Sequence, residues 1–293
     1  MKVAIIGPIA KDIVIINGIS NTHIGGIPYY VGIALKALGV DVKVFGTYAV
    51  EDDKLINENF KGVKLKSIYV GKTITHELSY SQDNPDIRET RVPEYSSNTF
   101  PMDDELINEL RGFDYIILGP LYYENIPYEL YEKLKDKNLV LNNFGLFTYH
   151  DKGELVRKNP ENLARVAPFL QYLFLDEDEI RYGAQKETLE EAAQYFLSLG
   201  AKNVIVTQGS KGSVIFTNDG VYKIPAFSVS SVVDPTGAGD TYMAGYIKAL
   251  ELFDDIQKRG EFAAMVAAMV VEKHGAFSGT MQEVLDRMQK NGN

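Results

Sequence analysis

The chain has 293 residues, 45% of them hydrophobic and 24% charged, and a formal net charge of -10. That length and balance fit one large α/β domain or two ordinary ones around a sizeable buried core. The negative charge disfavours nucleic acid and anionic membrane surfaces as partners. The absence of cysteine excludes disulfides, thiolate metal sites and a cysteine nucleophile. The N-terminus reads as a strand rather than a signal peptide, because Asp12 interrupts its apolar run. No window approaches the ~20 apolar residues of a membrane span, and the expectation is a cytoplasmic protein.

In chain order, residues 3–6 are an apolar run ended by Gly7-Pro8, the pattern of a buried strand and a turn. A second short strand is expected at 13–16. Gly25-Gly26 precedes a stretch, 29–38, in which apolar and small residues recur at helical spacing until Gly39, and 42–46 is the next strand. Strand, helix, strand in this order implies a right-handed parallel crossover. Residues 66–92 read differently. The stretches 66–70, 73–80 and 87–92 alternate, are rich in β-formers and are joined by short polar turns, as in an antiparallel hairpin set. A sheet with one apolar face needs a cover, which a bound substrate or the same sheet of a second subunit would supply.

From 103 onward helices and strands alternate. Helices are expected at 103–111, 127–135, 160–168 and 188–199, leading to strands at 115–118, 139–141, 172–175 and 203–207. A hairpin at 214–222 and helices near 238–252, 259–273 and 280–290 complete the chain. The expected fold class is α/β: a doubly wound, mostly parallel sheet with helices on both faces, plus a small antiparallel β lid formed by about 13–24 and 66–92, all in a single domain over 1–293.

The most informative segment is Asp234-Pro235-Thr236-Gly237-Ala238-Gly239-Asp240-Thr241, which opens an amphipathic helix. Glycines at a helix start let a ligand approach the backbone, and the free N–H groups and dipole there favour an anion. Gly237, Ala238 and Gly239 can therefore form an anion hole for a transferring phosphoryl group. Asp240 lies in the first turn. A carboxylate beside an anion site is repelled unless it has a chemical task, and its natural task is to take the proton of an attacking hydroxyl. A lone Gly-x-Gly-Asp is more simply an acidic helix start; the whole eight-residue pattern, late in a doubly wound chain, points to chemistry.

Asp234 through Tyr242, followed by Ala244-Gly245-Tyr246, closely resembles the C-terminal signature of the ribokinase-like (PfkB) carbohydrate kinases. The resemblance extends to Gly25-Gly26 with the helix up to Leu38-Gly39, and to the β insertion at the place of that family's lid. It implies an ATP- and Mg²⁺-dependent kinase with Asp240 as catalytic base and Gly237 to Gly239 as anion hole. It further implies that Asp12 binds substrate hydroxyls in a pocket lined by Gly25 and Gly26. Thr207-Gln208-Gly209-Ser210-Lys211-Gly212 looks like the family's phosphate-touching loop, which would set Thr207, Gly209, Ser210 and Gly212, with Thr236, on the nucleotide. His274 and Gly275 fall where the family closes over the adenine. Asp176 and Glu179 resemble the family's Asn-x-x-Glu motif, with Asp176 in the asparagine's place, and would organise Mg²⁺. Some members bind a monovalent cation near the residue matching Asp234.

In sugar kinases of this type an asparagine follows the glycine pair. Here Tyr30 occupies the aligned position, as in the branch acting on inositol or nucleosides. Asn142 and Asn143 end a strand on the substrate side and can bind hydroxyls through their amides. Tyr69 and His76 are lid candidates for contact with a polyol. The substrate implied is a neutral small polyol: a sugar, an inositol or a nucleoside. Sheet-to-sheet contact between lids would give a symmetric homodimer. A catalytically silent family member serving as a binding or regulatory module is the other reading, and the intact Asp240 argues against it. A nicotinamide dehydrogenase would need a Gly-x-Gly-x-x-Gly after the first strand, where Gly7-Pro8-Ile9-Ala10 stands instead.

Overall fold

A computed structural model describes residues 1–16, 19–80 and 88–291. In chain order its strands and helices are β1 (Lys2–Pro8), β2 (Ala10–Ile16), β3 (Ile19–Gly25), α1 (Ile27–Ala37), β4 (Asp41–Ala49), α2 (Asp53–Asn59) and β5 (Lys64–Val70). There follow β6 (Thr75–Tyr80), β7 (Arg88–Glu94), α3 (Asp104–Leu110), β8 (Tyr115–Leu118), α4 (Tyr128–Lys133) and β9 (Asn138–Asn142). Then come β10 (Thr148–Asp151), β11 (Glu154–Arg157), α5 (Glu161–Val166), β12 (Leu170–Asp176), α6 (Glu177–Ala184) and α7 (Leu189–Leu199). The last are β13 (Asn203–Thr207), β14 (Ser213–Thr217), β15 (Gly220–Ile224), α8 (Ala238–Ala249), α9 (Ile256–Val271) and α10 (Met281–Asn291).

The strands form a nine-stranded sheet, ordered β15-β14-β13-β12-β9-β8-β1-β4-β5, and a six-stranded sheet, ordered β10-β11-β7-β6-β2-β3. From β13 to β5 the larger sheet is parallel throughout; β14 and β15 close one edge antiparallel. Strand side chains alternate between faces, and β1 divides accordingly. Val3 and Ile5 join a core with α1, α8 and α9, while Ala4 and Ile6 join one with α3, α4, α5 and α7. This is the doubly wound, helix-covered sheet that the chain order implies.

The second sheet departs from expectation in two ways. Residues 66–70 do not belong to it: β5 pairs parallel with β4 at the edge of the large sheet. An edge strand has one half-wetted face, so its residues alternate like those of an exposed hairpin. In exchange, β10 and β11 join through β11–β7 pairing, a hairpin turning on Lys152 (φ 51°) and Gly153 (φ 90°). Positive φ at both turn residues suits the right-handed strand twist. Nor is this sheet wholly antiparallel, since β2 runs parallel to β6. Residues 17–18 and 81–87 of the expected lid lie outside the described residues.

The chain leaves β8 through a tight, buried turn organised by Asn125. Its Oδ1 accepts from the backbone N–H of Leu121 (2.9 Å) and Tyr122 (2.6 Å), and its Nδ2 donates to the Ser97 carbonyl at 2.5 Å. Removing this amide strands buried backbone groups, which costs more than the bonds themselves contribute. Asn125→Ala is expected to lose about 2–4 kcal/mol of stability. Urea denaturation should show a lower midpoint at unchanged slope; an unshifted midpoint would mean that water replaces the amide.

Candidate active site

The carboxyl ends of the central parallel strands and the facing side of the second sheet enclose a cleft of about 350 Å³. Such a strand-end crevice is where open α/β sheets bind ligands. Asn142, Asp176 and Thr207, at the ends of β9, β12 and β13, line one side, and Asp12, His76, Leu78 and Thr90 of the second sheet line the other. Gly26 and Tyr30 from the start of α1, and Thr236 to Asp240 at the start of α8, complete it.

The N-terminus of α8 carries no side-chain cap. The Ala238 N–H bonds back to the Pro235 carbonyl at 3.1 Å; the next two, of Gly239 and Asp240, have no carbonyl one turn back within the helix, and with the helix dipole they suit an anion in the cleft. Gly237 adopts the left-handed conformation, φ 74°, and a Cβ there would stand 2.5 Å from the Tyr30 ring. Only glycine meets both conditions. Tyr30 is buried, and burial together with Asp12, Asp240 and Asp234 pushes its phenol far above the ordinary value, so it presents a neutral hydroxyl.

Asp240 occupies the first turn of α8, where Asn142 Nδ2 donates to its Oδ1 at 2.6 Å. Burial raises its carboxyl from 3.8 to about 7, against the Asn142 hydrogen bond and with help from Asp12. A helix N-terminus lowers an acid by about 0.3–2 kcal/mol, less than the ~4 kcal/mol in such a shift; desolvation wins. Across the cleft Asp12 is buried, and a Cβ at Gly25 would lie 1.9 Å from its Oδ2, so this close approach requires glycine.

Asp176 and Glu179 form a reciprocal cap on α6: Glu179 N–H donates to Asp176 Oδ1 (2.7 Å), and Asp176 N–H to Glu179 Oε2 (3.0 Å). Burial and the Asp176 charge push the Glu179 carboxyl well up. Among the described residues no cluster of three or more acidic or histidine side chains is placed to hold a metal. A carboxylate pair suits instead an ion that takes most of its oxygens from phosphates and water, as Mg²⁺ does.

The cleft thus brings together Asp12, Gly26, Tyr30, His76, Asn142, Asp176, Glu179, Thr207, Thr236, Gly237, Ala238, Gly239 and Asp240, with Gly25 directly behind Asp12. Tyr69 is not among them. It projects from β5 at 52% exposure, and its hydroxyl donates to Asp53 Oδ1 at 2.9 Å, so a role in substrate contact does not fit. Gly209, Ser210 and Gly212 lie at the turn into β14, outside the residues lining the cleft. His274 and Gly275 are also outside it; the His274 side chain is 75% exposed, with Nδ1 3.8 Å from Asp234 Oδ2. Asn143 turns away, fully buried, and neither atom of its amide is hydrogen-bonded. Sequence reasoning missed the contributions of Leu78, Thr90, Leu121, Phe144 and Leu155 to the cleft. For Leu155 the turn pair Lys152-Gly153 was the available signal.

Sheet order, helices on both faces and a strand-end cleft beneath a second sheet define a ribokinase-like α/β protein. The family model of the pfkB family carbohydrate kinases matches residues 21–283, and the chain belongs to that family. The nucleoside kinase of Methanocaldococcus jannaschii is 33% identical over 147 residues, 50% of this chain and 48% of that one. A pyrophosphate-dependent kinase in the ribokinase family, complexed with a pyrophosphate analogue and myo-inositol, superposes with a TM-score of 0.81 at 23% identity, covering 97% of this chain and 99% of that one. Ribokinase of Arabidopsis thaliana, complexed with ribose and ATP, superposes with a TM-score of 0.79 at 21% identity, covering 97% of each. At these identities the structural likeness is one of fold. The chain spans about half the length, or less, of the first curated relatives it matches. Among the described residues no helix is long and apolar enough to cross a membrane.

The raised Asp240 carboxyl has a consequence for stability. Its folded value of about 7 exceeds the ordinary 3.8, so the contribution is full below about pH 4 and lost as pH rises through 7. Asp240→Asn escapes that loss. Without ligands, the variant should unfold later than the wild type by about 1–3 kcal/mol near pH 8 and by almost nothing near pH 4. Denaturation at the two pH values checks this, and a constant difference would contradict it.

Proposed function

We propose that this protein is an ATP-dependent phosphotransferase that phosphorylates an alcohol of a neutral small polyol, and that it acts in the cytoplasm. The observation that carries the reading is a base and an anion site in one helical turn. Asp240 and the uncapped start of α8 face the same cleft, with Asp12 and Asn142 close enough to share a substrate rich in hydroxyls. The curated relative named for nucleosides, and the structural neighbours holding ribose or myo-inositol, support a polyol acceptor.

The acceptor would lie between the two sheets, with Asp12 accepting hydrogen bonds from its hydroxyls and the Tyr30 hydroxyl beside it. Asp240 takes the proton of the reacting hydroxyl as its oxygen bonds to the γ-phosphorus and the bond to the leaving diphosphate breaks. A base near pKa 7 balances readiness to accept that proton against being already protonated. N–H groups at the start of α8 stabilise the charge on the transferred group's oxygens. Asp176 and Glu179 would hold Mg²⁺, which supplies further neutralisation of that charge. The enclosing second sheet keeps out water, a competing acceptor.

ADP release from Mg·ATP across ribose, hexoses, myo-inositol and nucleosides tests the reading, with pyrophosphate as a second donor and Asp240→Asn beside the wild type. Turnover on at least one alcohol is expected, reduced about 10²–10⁴-fold in the variant. The wild-type kcat/KM should fall tenfold per pH unit on the acid side of about 7. If no alcohol is phosphorylated and calorimetry detects no ATP binding, the kinase reading fails and a silent binding module replaces it.

A further inference from the structure

Asp12 is not held by its own strand alone. β2 and β6 pair in parallel with Asp12 opposite His76, so both side chains leave the same face of the second sheet. His76 Nδ1 lies 3.2 Å from Asp12 Oδ1, and His76 Nε2 lies 3.1 Å from the hydroxyl of Tyr122. The relative exposures are 7% for Asp12, 7% for His76 and 0% for Tyr122. Polar groups so deeply buried must satisfy one another.

For a neutral imidazole the chemistry of these contacts selects one tautomer. An ionised carboxylate only accepts, so Nδ1 carries the proton and donates to Asp12. Nε2 is left with a lone pair, and the Tyr122 hydroxyl donates to it. Burial and the Asp12 charge push the Tyr122 phenol far up, so it keeps the proton it donates. Tyr122 is itself anchored: Asn125 Oδ1 accepts from its backbone N–H at 2.6 Å, and the Tyr95 ring packs edge-on against it at 4.9 Å. On its other side Asp12 meets Gly25, where no side chain could fit. Asn142, by contrast, bonds directly to Asp240.

We propose that Tyr122 and His76 form a positioning pair: Tyr122 locks His76 as the Nδ1–H tautomer, and His76 thereby fixes the Asp12 carboxylate so that Oδ2 is presented to the hydroxyls of the acceptor. His76 acts here through Asp12 rather than as a ligand of the substrate in its own right. The inference rests on the reading of Asp12 as an acceptor-binding residue. It adds a requirement at Tyr122, a residue outside the cleft lining whose ring lies in the core. A carboxylate oriented in advance binds a hydroxyl without first losing rotamer freedom, so the pair should matter for acceptor affinity and little for phosphoryl transfer itself.

The test combines kinetics with the resting protein. His76→Phe keeps a ring and removes both nitrogens; it should raise KM for the acceptor about tenfold or more, with kcat within about threefold and KM for ATP unchanged. Tyr122→Phe should raise acceptor KM less, about three- to tenfold, because the donor to Asp12 remains but its tautomer is no longer imposed. His76→Asn puts an amide N–H near the position of Nδ1 and should recover part of the loss. Long-range ¹H–¹⁵N spectra of the unliganded wild type near about pH 8 should show His76 protonated at Nδ1 alone, the signal being assigned by its loss in His76→Asn. An unchanged acceptor KM in both His76→Phe and Tyr122→Phe, or a proton on Nε2, would overturn the proposal. If His76→Phe does not fold, Tyr122→Phe and the spectra decide. Wild-type protein that phosphorylates no alcohol would instead remove the kinase reading, and the spectra would still tell whether the pair is built as described.

Discussion

Everything in the cleft is arranged around a conflict inside one turn of α8. The helix start offers the N–H groups of Gly239 and Asp240 and a positive dipole end, an environment that would ordinarily stabilise a carboxylate and lower its pKa. Asp240 nonetheless sits where burial raises its carboxyl to about 7, a shift larger than a helix terminus ordinarily opposes. The outcome suits both partners in a phosphoryl transfer. The N–H groups remain directed at an incoming anion, and the carboxylate stays basic enough to draw a proton from an alcohol. The same balance recurs at α6, where Glu179 is buried and raised while it caps a helix with Asp176. Two carboxyls raised by burial are costly to hold ionised, and cationic or hydroxylic ligands would offset that cost. Binding and catalysis thus draw on the same strain.

The two sheets divide the work. The parallel sheet ends in Asn142, Asp176 and Thr207, and α8 is packed against it through Met243, Tyr246 and Ile247, which lie in the core shared with α9. Under the proposed function these elements support the groups on the phosphate side. The six-stranded sheet carries Asp12 and His76 on adjacent strands, which under the proposed function is the acceptor side. Tyr30 touches both sets, its ring against Gly237 and its hydroxyl in the field of Asp12 and Asp240. Under the proposed function, a bulky aromatic at this point of α1 would link acceptor shape to the anion site.

Legibility in the sequence followed the range of the interactions. The α8 start was readable because its residues form one contiguous pattern, with Gly237 demanded by its left-handed backbone and by the Tyr30 ring, and the alternation of buried strands and amphipathic helices was enough to recover the doubly wound sheet. Residues 66–70 were misplaced because an edge strand and an exposed hairpin strand expose the same alternation, and only pairing with β4 tells them apart. Tyr69 fell out of the site with them. The hairpin of β10 and β11 was passed over because its strands have four residues each. Tyr122 had no signal at all: nothing in Leu121-Tyr122-Tyr123 marks one tyrosine as the partner of a histidine 46 residues away. Glu179 was found through a motif, and its reciprocal bond with Asp176 is local, but its burial is a tertiary fact.

The central claim is that a single acceptor hydroxyl meets Asp240 while the phosphoryl donor meets the first turn of α8. A crystal structure with a phosphorylated-in-solution alcohol, Mg²⁺ and a non-hydrolysable ATP analogue tests it most directly. The account predicts the reacting hydroxyl in hydrogen-bond contact with Asp240, the γ-phosphorus in line beyond it over Gly237 to Gly239, and a second hydroxyl on Asp12. An alcohol bound away from Asp240, or a triphosphate whose terminal group points away from α8, would contradict it.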